Sequence, residues 1–127
     1  MNKNTYIPKS LDKEEGLKSI KLSENIFNEI MSDNLNHIDY IYLSSNPHLS
    51  KEQIQQLFLL KIDNVNINLV RNLNCPEDEI EKFILLKDKI YNIAIAHNPN
   101  LKQKYITKLL KFNDKDVTMS LEFSGYL

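Results

Sequence analysis

The sequence predicts an all-α fold, a right-handed α-solenoid of about four two-helix repeats with a 26-residue period. Three observations predict it. Asn46, Asn72 and Asn98 stand 26 residues apart, in Ser45-Asn46-Pro47-His48-Leu49, Arg71-Asn72-Leu73-Asn74-Cys75-Pro76 and His97-Asn98-Pro99-Asn100-Leu101. The apolar residues around them keep the same step, so the match is not a single recurring dipeptide. Finally, only two glycines occur in 127 residues, which speaks against Gly-rich phosphate loops and a hairpin-rich β fold.

Residues 1 to 21 form an N-terminal capping segment, in which Ser10 caps a helix through Leu11, Leu17 and Ile20. Repeats follow over residues 22 to 124. The first is degenerate: Ser23, Phe27, Ile30 and Met31 match Ser50, Ile54, Leu57 and Phe58 at a step of 27. End copies diverge because they have a neighbour on one side only. Each full repeat then opens with a short helix carrying Ile41 and Leu43, Ile67 and Leu69, or Ile93 and Ile95. That helix stops at the asparagine turn, since proline drives the residue before it out of the α region. The longer helix that follows carries Ile54, Leu57-Phe58 and Leu60, then Ile80, Phe83-Ile84 and Leu86, then Ile106, Leu109-Leu110 and Phe112. Their spacing makes one amphipathic face. Ser50 with Gln53 reads as a capping box, and Pro76 followed by Glu77, Asp78 and Glu79 suits a first turn. Val117, Met119, Leu121 and Ser124 fall on the phases of Tyr91, Ile93, Ile95 and Asn98, and residues 125 to 127 are a tail. The whole chain, 1 to 127, is expected to be one domain.

Composition bounds the function. A formal net charge of -1 and a pI near 6.3 select neither a polyanion nor an acidic membrane as partner. The single cysteine, Cys75, excludes an internal disulfide framework and fits a reducing compartment. Leu57-Phe58-Leu59-Leu60, among the longest apolar runs, is too short to span a bilayer. Met1-Asn2-Lys3-Asn4-Thr5-Tyr6 has no apolar stretch behind its lysine, so no secretory signal is expected. The expectation is a cytoplasmic protein.

No residues assemble into a reaction site. His37, His48 and His97 lack a metal-ligand spacing, and His48 and His97 occupy different phases, so neither a metal nor any other cofactor is expected. Cys75 holds the phase of Leu49 and Leu101 and reads as a small buried apolar group. The asparagines repeat, and repetition argues for turn structure through side-chain bonds to backbone. Two other features point to binding. Arg71, the only arginine among 16 basic residues, precedes the repeat asparagine; Ser45, His97 and Phe123 hold the same phase. Stacked repeats would align that phase into a column of varied residues, the place where solenoids recognise partners; the alternative is that Arg71 simply pairs with an acid on a neighbouring repeat. Tyr42 and Asn68, three residues before Ser45 and Arg71, extend the column. The acidic run Glu77, Asp78, Glu79 and Glu81 suits a helix N-terminus and would act at the rim of such an interface. Lys102, Lys104, Lys108, Lys111 and Lys115 could instead form a basic end for nucleic acid, without guanidinium forks or interleaved exposed aromatics.

The phased pattern of apolar pair, spacer, Asn-Pro or near variant and amphipathic helix, over roughly residues 22 to 124, resembles the leucine-rich repeat variant family and, more broadly, HEAT-like α-solenoids. The resemblance implies a curved stack of two-helix units used for scaffolding and recognition. The chain departs from that pattern in three ways. Only Asn46-Pro47 and Asn98-Pro99 keep the dipeptide, Leu73 replaces the proline in the middle copy, and the unit is slightly longer than the family norm. The cysteine-rich iron-sulfur segment of some members does not carry over to a chain with one cysteine. The resulting expectation is a non-enzymatic, protein-binding module, monomeric or weakly dimeric, whose partner is a toxin or enzyme domain if the chain is a small inhibitor or immunity protein. Nucleic-acid binding is the alternative.

Overall fold

The computed structural model describes residues 13–33 and 35–127, and every regular element among them is a helix. The expected cap at Ser10 and Leu11 lies outside the described residues. In order the helices are α1 (Lys13–Ser19), α2 (Glu24–Ser32), α3 (His37–Ser44), α4 (Lys51–Phe58), α5 (Asp63–Val70), α6 (Glu77–Leu85), α7 (Lys89–Ala96), α8 (Gln103–Leu110) and α9 (Lys115–Phe123). Their starts are periodic. Helices α3, α5, α7 and α9 begin at 37, 63, 89 and 115, and α4, α6 and α8 begin at 51, 77 and 103. Both series advance by the 26 residues that the sequence repeats. No described helix is long and apolar enough to cross a membrane.

Local chemistry sets the starts and stops. Ser50 and Gln53 form the expected capping box, each side chain bonding the other's backbone N–H. Asn36, Asp88 and Asp114 cap α3, α7 and α9, each accepting from N–H groups in the first turn. Pro76 stands at the N-cap of α6. After α4, α6 and α8 the chain turns through Lys61, Lys87 and Asn113 at φ of 56, 56 and 53°, the left-handed region. This gives a second 26-residue series, one that stops α4, α6 and α8. Lysine has no side-chain bond to offset the steric cost of that conformation, and asparagine tolerates it better. At eight, nine and eight residues, α4, α6 and α8 are not the distinctly longer helices expected beside α3, α5 and α7, at eight each.

The chain divides into two compact units, the first ending at Asn66 and the second Ile67–Leu127. In the N-terminal unit α1 packs on α3, and Leu17, Phe27, Ile30, Leu43, Ile54 and Leu57 are buried. In the C-terminal unit α7 packs on α6, α8 and α9, α8 also packs on α6 and α9, and Leu69, Ile80, Ile95, Ile106, Leu109 and Leu121 are buried. The three phased isoleucines, Ile54, Ile80 and Ile106, are therefore all core residues.

Some expected core positions differ. Leu86 is 60% exposed, because α6 ends at Leu85 and the left-handed turn at Lys87 carries the chain away. Leu60 and Phe112, at the same phase, are half-buried. Ile84 is buried and Phe83 half-buried, the reverse of Leu57 with Phe58 and of Leu109 with Leu110. Met119 is exposed, whereas its ladder neighbours Val117 and Leu121 are buried as expected. Cys75 is half-buried; desolvation, reinforced by Glu79 and Asp78, pushes its thiol up to about 12. A thiol so held is protonated and a poor nucleophile at neutral pH.

Candidate functional site: the asparagine turns and the surface beside them

Asn46, Asn72 and Asn98 are buried, and at Asn46 and Asn98 both ends of the side-chain amide are bonded. Each side-chain oxygen accepts from the N–H two residues on: His48 at 2.8 Å, Asn74 at 2.9 Å and Asn100 at 2.7 Å. That is an Asx-type turn, the local role the sequence suggests. The amide nitrogens do something sequence reasoning does not reach. Asn46 Nδ2 donates to the carbonyls of Leu17 (2.9 Å) and Ile20 (2.7 Å). Asn98 Nδ2 donates to the carbonyls of Val70 (2.8 Å) and Asn72 (2.9 Å). One side chain thus shapes its own turn and ties it to the turn about one period earlier. Buried amides left unbonded would cost about 1–3 kcal/mol each, which is why nothing but a two-sided donor-acceptor fits here.

At the last turn the device changes. Ser124 stands where the next asparagine would fall, and the phenol of Tyr126 does the reaching instead. Its OH donates to Asn98 O at 2.5 Å and accepts from the Leu101 N–H at 2.8 Å. The missing asparagine at 124 is the only sequence signal for this role.

The residue before each asparagine lies on the outside. Ser45, in the N-terminal unit, is exposed and donates from Oγ to Tyr42 O at 2.8 Å. Tyr42 is half-buried, with Lys18 Nζ 5.8 Å from its ring centroid. The C-terminal unit carries Asn68, Arg71, His97 and the acidic run. Arg71 is exposed, Asn68 and His97 half-buried. Because Val70 O and Asn72 O both bond Asn98, the backbone on either side of Arg71 is held against the residue next to His97. The His97 pKa is lowered, first by desolvation and then by the Arg71 charge, so the neutral imidazole is favoured. Its Nδ1 lies 3.3 Å from Ser124 Oγ, and its ring meets Phe123 edge-on at 6.0 Å. Arg71, His97 and Phe123, consecutive members of one phase, are thus brought together within this unit.

The acidic run and the lysines face each other. Glu77 is paired with Lys102 and lies 3.8 Å from Lys104, Glu81 bonds Lys108 at 2.9 Å, and Glu79 pairs with Lys82 at 3.3 Å. The Lys102 pKa is raised, chiefly by the Glu77 hydrogen bond. Helix α8 therefore neutralises much of the charge on α6. Exposed pairs of this kind add little stability, about 0–1 kcal/mol each. Their larger effect is to cancel the two charged patches. Among the described residues no group of three or more His, Cys, Asp or Glu could hold a metal ion. No family model, no curated protein and no solved structure matches the chain.

Proposed function

We propose that this chain is a non-catalytic, protein-binding repeat module of the kind the leucine-rich repeat variant and HEAT-like α-solenoids represent. In this reading the whole of residues 1 to 127 is one right-handed array of about four repeats. It works in the cytoplasm as a monomer or weak dimer, and its partner surface includes Tyr42, Ser45, Asn68, Arg71 and His97, with the acidic run at the rim. In its most specific form it is a small inhibitor or immunity protein that blocks a toxin or enzyme domain.

The observation that carries the reading is a contrast one residue wide. Asn46, Asn72 and Asn98 are identical and buried, whereas Ser45, Arg71 and His97 differ in type and lie at the surface. Structure needs the first set to be constant, and selective recognition needs the second to vary. The nucleic-acid alternative leans on Lys102, Lys104 and Lys108, whose charges α6 already engages. Affinity capture at low and high salt separates the two. A protein partner retained at high salt and lost with Arg71→Ala supports the proposal. Binding that collapses with salt and with charge reversal at Lys104 and Lys108, yet survives Arg71→Ala, overturns it.

A further inference from the structure

Helix α9 leaves a shallow, mostly apolar depression lined by His97, Asp116, Met119, Ser120 and Phe123. Phe123 is 86% exposed and Met119, four residues earlier on the same helix face, is 54% exposed. Neither is required by the core, which α9 supplies from Val117 and Leu121. Arg71 does not line the depression, but the turn that carries it is held by the Asn98 bonds to Val70 O and Asn72 O, close enough to His97 for the guanidinium charge to act on that ring. The charges around the depression are unequal. Asp116, its one acid, is paired with Lys89 at 2.7 Å, whereas no ion pair joins Arg71 to a described residue. An apolar floor with a guanidinium near the His97 side of it is complementary to one kind of ligand group.

We infer that this depression is a docking site for a protein segment that presents a carboxylate beside an apolar side chain, the apolar group seated on Phe123 and Met119 and the carboxylate paired with Arg71. The inference rests on the protein-binding reading and specifies its partner. Exposed aromatics with an arginine also suit a single-stranded nucleic acid. The surroundings favour the peptide: residues 67–127 hold nine basic and eight acidic side chains, so no field gathers a polyanion. His97 adds an edge rather than a charge, with its Nδ1 turned to Ser124.

The test pans a phage library of random peptides of about twelve residues against the full chain, with labelled oligothymidylate as the polyanion probe. Enriched peptides should place Asp or Glu within about one helical turn of Leu, Ile or an aromatic. Arg71→Ala and Phe123→Ser should each weaken a synthetic consensus peptide at least about tenfold. Both residues are exposed, so the variants should keep the wild-type melting temperature. Replacing the peptide carboxylate by its amide should weaken binding to the wild type but not to Arg71→Ala, which places the two groups in contact. Peptides that bind the double variant undiminished would overturn this site while leaving a protein-binding module intact. Tight oligothymidylate binding, with no peptide enriched, would overturn both readings. Enrichment of neither, or a dimer that Phe123→Ser dissolves, would also reject the assignment, the latter giving the patch to a second copy.

Discussion

The chain turns in two ways, and the two kinds of turn hold their shape by different means. After α3, α5 and α7 it turns on Asn46, Asn72 and Asn98, whose buried side chains bond backbone within the turn and, at Asn46 and Asn98, about one period away. After α4, α6 and α8 it turns on Lys61, Lys87 and Asn113, which contribute a left-handed φ. In the first kind the side chain is the device, so one residue type is required. In the second the backbone is the device, and lysine serves at two positions out of three. Tolerance to substitution should therefore split sharply between two sets of residues that share one period.

The largest effect is expected at Asn98. Asn98→Ala strips partners from two carbonyls and one N–H in a buried place and should cost about 4 kcal/mol by denaturant melts. Asn98→Asp sharpens the point, since it keeps the acceptor for Asn100 but sets a carboxylate against Val70 O and Asn72 O. It should be at least as unstable as alanine at neutral pH; near-wild-type stability would show that the Nδ2 bonds contribute little. Next is Ile80→Ala, a control for packing alone, with a loss of roughly 2–5 kcal/mol. Tyr126→Phe removes only the hydroxyl that stands in for the absent asparagine and should cost about 1–2 kcal/mol. A smaller effect comes from His97. Its pKa lies below the ordinary 6.5, so the unfolded chain binds more protons in the window beneath that value. Its contribution to stability is complete above pH 6.5 and is lost as pH falls toward the lowered value; melting of wild type against His97→Gln between pH 7.5 and pH 5.5 checks the sign. The smallest change, and the only gain, belongs to the other kind of turn: Lys87→Gly should stabilise by up to about 1 kcal/mol, because glycine adopts a φ of 56° without strain. If Lys87→Gly were costly, the lysine side chain would be part of that turn after all.

How much of this is legible in the sequence depends on whether a residue's job repeats and stays local. The isoleucine phase is readable because burial repeats every 26 residues and has an apolar signature. The asparagine turn is readable for its short-range half, the bond to the N–H two residues on. The bonds from Asn46 to Leu17 and Ile20 are not, because a backbone carbonyl 26 or 29 residues away leaves no mark in residue type. Lys61 and Lys87 hide the second turn, since lysine signals solvent rather than a left-handed φ. Leu86 is misplaced for the same reason: the amphipathic period continues in the sequence after the helix has stopped. At the surface, Arg71 and His97 are readable as phase partners, but Phe123, also at that phase, gains weight only once α9 shows it exposed. The pairing of Glu77 and Glu81 with lysines on α8 depends on which faces of two helices meet, and charge patterning alone leaves that open.

Within each unit the long-range hydrogen bonds, from Leu101 with Tyr126 in the second to Gln53 with Leu22 in the first, span 25 to 31 residues. Closing such a loop costs little more chain entropy than forming a helical hairpin, because the penalty grows only with the logarithm of length. Folding can thus proceed by adding short segments to a formed neighbour, with few distant encounters to wait for. Chains rich in local contacts fold in microseconds to milliseconds, and a single-exponential refolding phase in that range is the kinetic counterpart of asparagines that reach back just one period.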